Sequence, residues 1–478
     1  MRRVLNPALL ALVAFMLVST AACVDERIVY RDRDLTGDIP TGHEGFVGLT
    51  SQESNLTVCG NCHVSFQGEW EQTAHADAWA TLQNSGHAQA FCENCHTVNQ
   101  LGNLTEAAGG YATTGDARYH NVQCESCHGP GLAHVQSPGD DNIPLAPLAV
   151  GLDMTTGCGE CHQGAHHPFV DEWAESGHGT ALDYPAGRPE CASCHSGEDA
   201  LVAWGVRADF TEKEAVNQPG QHLAITCAVC HDPHSADNGG QLRFPVDVPN
   251  EEQNLCMKCH HKRGTPDMAS QNRGPHSPEG PVLLGYGGWW PPNLQFGQTG
   301  DTATIAATHG SVANPRLCAG CHVNAYTATD DVTGAQIIST GHLFAATPCT
   351  VNGVPVPGDC APAERTYRTC TDAGCHGSEN VARSIEQVAE LRIGSLATQL
   401  NTMLAQVPAT EFNHNDGRYS TAEGARFNYQ LAALFPGSTI HNPFLVEALL
   451  IASIQQVTND YGIAPGPGVS LNRQLGQN

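Results

Sequence analysis

Eight times in 478 residues the chain repeats one short pattern: two cysteines separated by two residues, with a histidine directly after the second. The copies are Cys59-Cys62-His63, Cys92-Cys95-His96, Cys124-Cys127-His128, Cys158-Cys161-His162, Cys191-Cys194-His195, Cys227-Cys230-His231, Cys256-Cys259-His260 and Cys318-Cys321-His322. A ninth, Cys370-Cys375-His376, has four residues between its thiols, among them Gly374, which lets the loop bulge. We number these sites 1 to 9 in chain order. With 21 Cys and 25 His in the whole chain, random placement would give about 0.05 matches, so composition does not explain eight. Two thiols on a short turn can each form a thioether to one vinyl group of a haem, and the next imidazole then reaches the iron. A lone copy would equally suit a zinc knuckle or a redox dithiol, but eight copies do not.

The pattern constrains the fold because the rest of the chain is poor in core material. Only 40% is hydrophobic and 6% aromatic, whereas Gly and Pro number 50 and 29. About nine haem c groups would supply the missing apolar mass as flat plates wrapped by loops and single helical turns. The expected fold class is therefore mostly α and irregular: a loop-rich chain with haems as its core, a C-terminal helical layer and little β. Without haem, the middle of the chain should hold little structure.

Acidic residues outnumber basic ones by 49 to 22, a formal charge of −27. That charge excludes a nucleic-acid partner and suits a soluble acidic surface or the steering of a basic redox partner. Arg2 and Arg3 precede an apolar run that closes on Ser19, Thr20, Ala21, Ala22 and Cys23, an export signal over residues 1–22. Cys23 resembles the lipidated cysteine of a bacterial lipoprotein, with Thr20 where such signals usually carry Leu; ordinary cleavage after Ala22 is the alternative. The expected location is the periplasm or cell surface, with membrane attachment only through a lipid at Cys23 and the oligomeric state open.

Residues 23–55 read as a polar tether, 56–240 as a six-haem repeat region, 241–378 as a second haem region with three sites, 379–462 as helical and 463–478 as a tail. In the first haem region the leading cysteines fall 32 to 36 residues apart, which predicts one haem per unit with neighbouring units covering one another's cofactors. Cys349 and Cys360, left over after the haem sites and Cys23, are expected to form a disulfide in an oxidising compartment.

Sixteen histidines remain beyond the nine in the motifs, enough for a second imidazole at each iron. The favoured set is His75, His87, His120, His134, His178, His222, His276, His309 and His342, with His167, His234, His261 and His441 in reserve. Met154, Met268 and Met403 are the methionines that could ligate iron, so bis-histidine ligation should dominate.

The run CGNCH, WEQTAHADAW, CENCHT and VQCESCHGPGLAHV, over roughly residues 56 to 135, resembles the tetrahaem cytochromes that accept electrons from hydroxylamine oxidoreductase. CHDPHS at 230–235 is similar to the doubled-CxxCH cytochromes. The resemblance implies stacked haem pairs and electron transfer, with one open iron as a variant.

After residue 378, Val381, Ile385, Val388, Leu396, Leu400 and Met403 recur at helical spacing, and Thr421–Phe435 continues the pattern. Asn442 is an N-cap and Pro443 a first-turn residue for a third helix that stops before Gly462. The segment from Phe427 to Leu450 resembles the C-terminal helices of nitrite-reductase-like multihaem cytochromes, which draws attention to His441.

Two functions compete. One is electron transfer along the haems to redox partner proteins or an extracellular acceptor. The other is an oxidoreductase of a small nitrogen or sulfur species at one five-coordinate iron. No CxxCK, the mark of many nitrite reductase active sites, occurs. A lower alternative is a polymerising or porin-associated conduit.

Overall fold

A computed structural model describes residues 43–475 apart from 52, 99–108, 207–211, 214–221, 268, 270–273, 295–297, 300–301 and 373. The expected export signal, Cys23 and Met268 lie outside the described residues. Among those described, β structure is confined to four two-stranded antiparallel ladders whose strands have two to four residues. Helices carry the rest of the regular structure, most of them one or two turns long.

Each attachment motif is a single closed turn. The histidine amide donates to the carbonyl of the first cysteine, at 3.0 Å from His63 to Cys59, 2.9 Å from His162 to Cys158 and 3.0 Å from His260 to Cys256. The widened ninth motif closes in the same way, with His376 N donating to Cys370 O at 3.2 Å across the two added residues.

The repeat is built from three sites rather than one. Sites 1, 4 and 7 sit on 3₁₀ turns (Cys59–Asn61, Gly157–Glu160, Cys256–Lys258), whereas sites 2, 3, 5 and 6 sit on α-turns. Buried Trp70 donates its indole hydrogen to Val122 O at 2.9 Å, just before site 3. Trp173 does the same to Ile225 O at 2.8 Å, just before site 6. His75 and His178 follow these tryptophans at equal distance in the chain, so the second triplet repeats the first.

Glu125, inside the third motif, is 2% exposed and accepts hydrogen bonds from the amides of Val47, Gly48 and Gly131. That carboxylate straps the Gly-Pro-Gly turn to the motif and sets the start of the short helix Leu132–Gln136, which carries His134.

The largest apolar core lies at the C-terminal end. The long helix Glu379–Leu404 starts at Ser378, whose hydroxyl accepts from Val381 N. Thr421–Ala433 begins with a reciprocal Ser420/Glu423 capping box. Pro443–Tyr461 is capped by Asn442, which accepts from Leu445 N at 3.0 Å, and stops at Gly462 in the left-handed region. On the long helix the buried stripe is Ala382, Ala389, Ile393, Leu396, Leu400 and Met403. Val381, Ile385 and Val388, expected on that stripe, are about half exposed. Ile385 instead looks into a cavity beside site 9, together with Ala382, Glu386 and Ala389. Cys349 and Cys360 form the expected disulfide across the hairpin strands' end.

No described helix is long and apolar enough to cross a membrane.

Candidate haem centres

Eight of the nine motif histidines face one histidine from elsewhere in the chain. The pairs are His63 with His134, His128 with His234, His162 with His75, His195 with His276, His231 with His342, His260 with His178, His322 with His441 and His376 with His309. Their ring centres are 6.1 to 6.4 Å apart. Two imidazoles bonded to opposite sides of one metal ion sit about 6 Å apart, two bonds of ~2 Å plus the two ring radii. The spacing is too wide for ring stacking and right for an ion between them.

The other ring nitrogen is held by the protein. Nδ1 of His96, His128, His231 and His322 lies 2.6 to 3.0 Å from the carbonyl oxygens of Ala78, Pro144, Gly240 and Phe344. A carbonyl only accepts, so Nδ1 carries the hydrogen and Nε2 keeps its lone pair for a metal. Burial pushes the pKa of His75, His128, His231, His322, His342 and His376 down, and brings His162, His178 and His441 to about 4. Neutral imidazole is the form that binds metal.

Thiols of different motifs also meet. Cys59 and Cys124, Cys95 and Cys161, Cys158 and Cys227, Cys194 and Cys259, and Cys256 and Cys318 lie within hydrogen-bonding reach. Cys127 with Cys158, Cys230 with Cys256, and Cys321 with Cys375 are close enough for their charges to interact. These contacts join sites 1–3, 2–4 and 3–4, then 4–6, 5–7 and 6–7, a shift of three sites, and finish with 7–8 and 8–9. Half of these contacts join consecutive sites, as the even spacing suggested, and half join alternate sites.

The motif histidines of sites 4 to 9 line one continuous cavity of ≈ 2710 Å³, whose walls include their own cysteines. Paired imidazoles, two thiols beside each motif histidine and a large cavity between them fit haem c.

Of the favoured second histidines, His75, His134, His178, His276, His309 and His342 face a motif histidine, as do the reserves His234 and His441. The other three do not. His87 is exposed, His120 stacks on Trp79 at 3.9 Å between ring centres, and His222 lies 3.7 Å from Glu198. His261 turns its Nδ1 back to Met257 O, within its own motif. Met154 is an exposed surface residue and Met403 belongs to the C-terminal core. At site 2, no imidazole faces His96 among the described residues. His167 is close enough for His96 to add to the lowering of its pKa by burial, but its ring centre lies 5.9 Å from that of His162, edge to face.

Residues 58–129, which hold sites 1 to 3, match the family described as cytochrome c554 and c-prime, and residues 222–265, with sites 6 and 7, match the doubled CXXCH motif. The chain belongs to the multihaem c-type cytochromes. This cytochrome is 24% identical over 194 residues to the multihaem cytochrome MtrA of Shewanella baltica, covering 37% of its own length and 54% of MtrA. It is 28% identical over 227 residues to the C-type polyhaem cytochrome OmcB of Geobacter sulfurreducens, covering 36% of its own length and 28% of OmcB. It thus spans about half of the first relative and under a third of the second. The crystal structure of the outer cell wall cytochrome OcwA superposes with a TM-score of 0.46 and 19% identity over 77% of this chain and 75% of that one. The cofactor of the cytochrome is haem c.

Proposed function

We propose that this cytochrome carries electrons along nine haems in the order 1–3–4–6–7–8–9, with site 2 as a spur from site 4 and site 5 as a spur from site 7. The observation that carries the reading is that eight motif histidines each have another imidazole at metal-bridging distance, His162 having both His75 and His167. When bound, haem supplies one-electron storage at iron. The cysteines of each motif would tether it, and the paired imidazoles would close both axial positions, leaving iron no place for a substrate. The thiol contacts bring the attachment edges of neighbouring haems together, which supports transfer from site to site.

The proposal includes export through residues 1–22 and work in the periplasm or at the cell surface, with electrons passed to redox proteins or an extracellular acceptor. Electron paramagnetic resonance of the oxidised protein should show low-spin iron at eight or more of nine sites. A mainly high-spin spectrum would overturn the assignment.

A second reading, turnover of a small nitrogen or sulfur species, is favoured at one place only. His96 has no facing imidazole among the described residues, so site 2 would hold an open iron at the end of a spur. It predicts a single high-spin signal that moves on adding nitrite, together with turnover of nitrite, hydroxylamine or tetrathionate by the reduced protein. No turnover of any of the three would rule it out.

A further inference from the structure

The imidazoles of sites 6 and 8 give their Nδ1 hydrogen to neutral carbonyls, His231 to Gly240 at 2.6 Å and His322 to Phe344 at 2.8 Å. Site 7, between them on the path, differs: Nδ1 of His260 lies 3.4 Å from Oε2 of Glu279. The placement follows from a tight contact. Gly280 N donates to His260 O at 2.8 Å, and a Cβ at Gly280 would come within 2.9 Å of that oxygen and 3.1 Å of Met257 Cγ. Only glycine lets the helix Glu279–Leu284 press so closely on the motif, and the residue before it then meets the ring.

The carboxylate keeps its charge for the imidazole. Among the described residues no lysine or arginine pairs with Glu279, whereas Asp232, which lies 3.4 Å from His234 Nδ1 at site 3, is neutralised by Arg243 at 2.9 Å. Glu279 also acts on His276, opposite His195 at site 5, and on His441, opposite His322 at site 8. It is thus an anion at the junction where the spur to site 5 leaves the path.

We propose that Glu279 is a tuning residue that holds the iron of site 7 more firmly in the ferric state than the irons of sites 6 and 8. This rests on the reading that His260 ligates a haem. An anion at Nδ1 makes the imidazole a stronger donor, and a nearby negative charge favours the more positive oxidation state of the metal. Electrons then rest on either side of site 7 rather than on it, and the path divides into a reservoir of sites 1 to 4 and 6 and an outlet of sites 8 and 9.

The test is a potentiometric titration of the full haem-loaded chain, followed by electron paramagnetic resonance, for wild type, Glu279→Gln and Glu279→Asp. In Glu279→Gln one low-spin iron should become easier to reduce, its ferric-to-ferrous ratio at fixed potential falling about tenfold, or ~59 mV for a one-electron couple. Glu279→Asp should restore most of the wild-type curve. Superimposable curves, or an equal shift of every iron, would overturn the role of Glu279. Mass spectrometry of the peptide spanning Cys256 to His260 separates the two claims: a peptide without haem would overturn the haem reading of site 7 itself.

Discussion

Produced without haem attachment, the chain should keep its C-terminal helices and lose compact structure from the first motif to the ninth. The reason is where apolar contact is found. The C-terminal cluster draws on Ile393, Leu396, Leu400, Leu431, Leu445, Leu449 and Ile454 among many others. Each cluster in the haem region has only three or four buried residues, such as Phe46, Val98 and Tyr119, or Leu148, Ala200, Leu201 and Val229. Burying one large apolar side chain contributes about 1.5–3 kcal/mol. Ordering one backbone residue costs about 1–2 kcal/mol, so a triplet repeat held by a few such side chains cannot order itself. Limited proteolysis with mass mapping should find residues 379–475 protected and residues 58–376 cut throughout. Protection of the motif region in the haem-free chain would refute the cofactor-as-core account.

Replacing Glu447 with alanine should destabilise the C-terminal layer by about 3–5 kcal/mol, the range for a buried ion pair that loses one partner. Glu447 has no exposure, and its carboxylate accepts from Arg392 Nε at 2.8 Å and from the amides of Gln474 and Leu475. Alanine there strands a guanidinium that is 9% exposed and frees the tail that Arg392 also binds through Asn472 O. The same helix follows directly on His441, through Asn442, which donates to Ile305 O at 2.7 Å. Urea unfolding followed by circular dichroism should give a lower midpoint for the variant. Coincident curves would mean that water or a solvent anion replaces the lost carboxylate beside Arg392.

The closed turns of the cysteine-histidine motifs were legible in the sequence because a motif of five neighbouring residues has its geometry in its own backbone. The helices after residue 378 were legible too, through their helical spacing, the cap Asn442 and the stop at Gly462. The facing of histidines was not, because it depends on elements brought together across the fold. His120 sits next to a motif in the chain yet stacks on Trp79, while His441 lies far along the chain from His322 and faces it. Periodicity marked Val381, Ile385 and Val388 as a buried stripe, but apolar spacing does not distinguish a face turned to other helices from one turned to a cofactor cavity or to water. The triplet repeat had a sequence signal, Trp70 and Trp173 each ahead of a histidine, but the even spacing of cysteines concealed it.

The exchange of histidines between units also dictates an order of assembly. As the chain emerges from its N-terminal end, His162, His260 and His376 find their partners His75, His178 and His309 already made. His63, His128, His195, His231 and His322 must wait for chain that comes later, and His322 waits for His441, in the last stretch of the protein. On the proposed ligation these five sites would hold their haems by one imidazole until the later chain arrives, and an N-terminal fragment would complete only the pairs whose two histidines it contains. On the same proposed ligation, a chain cut short before the C-terminal helices would hold a haem at site 8 through His322 alone, and completeness of the polypeptide would be read in the spin state of that iron.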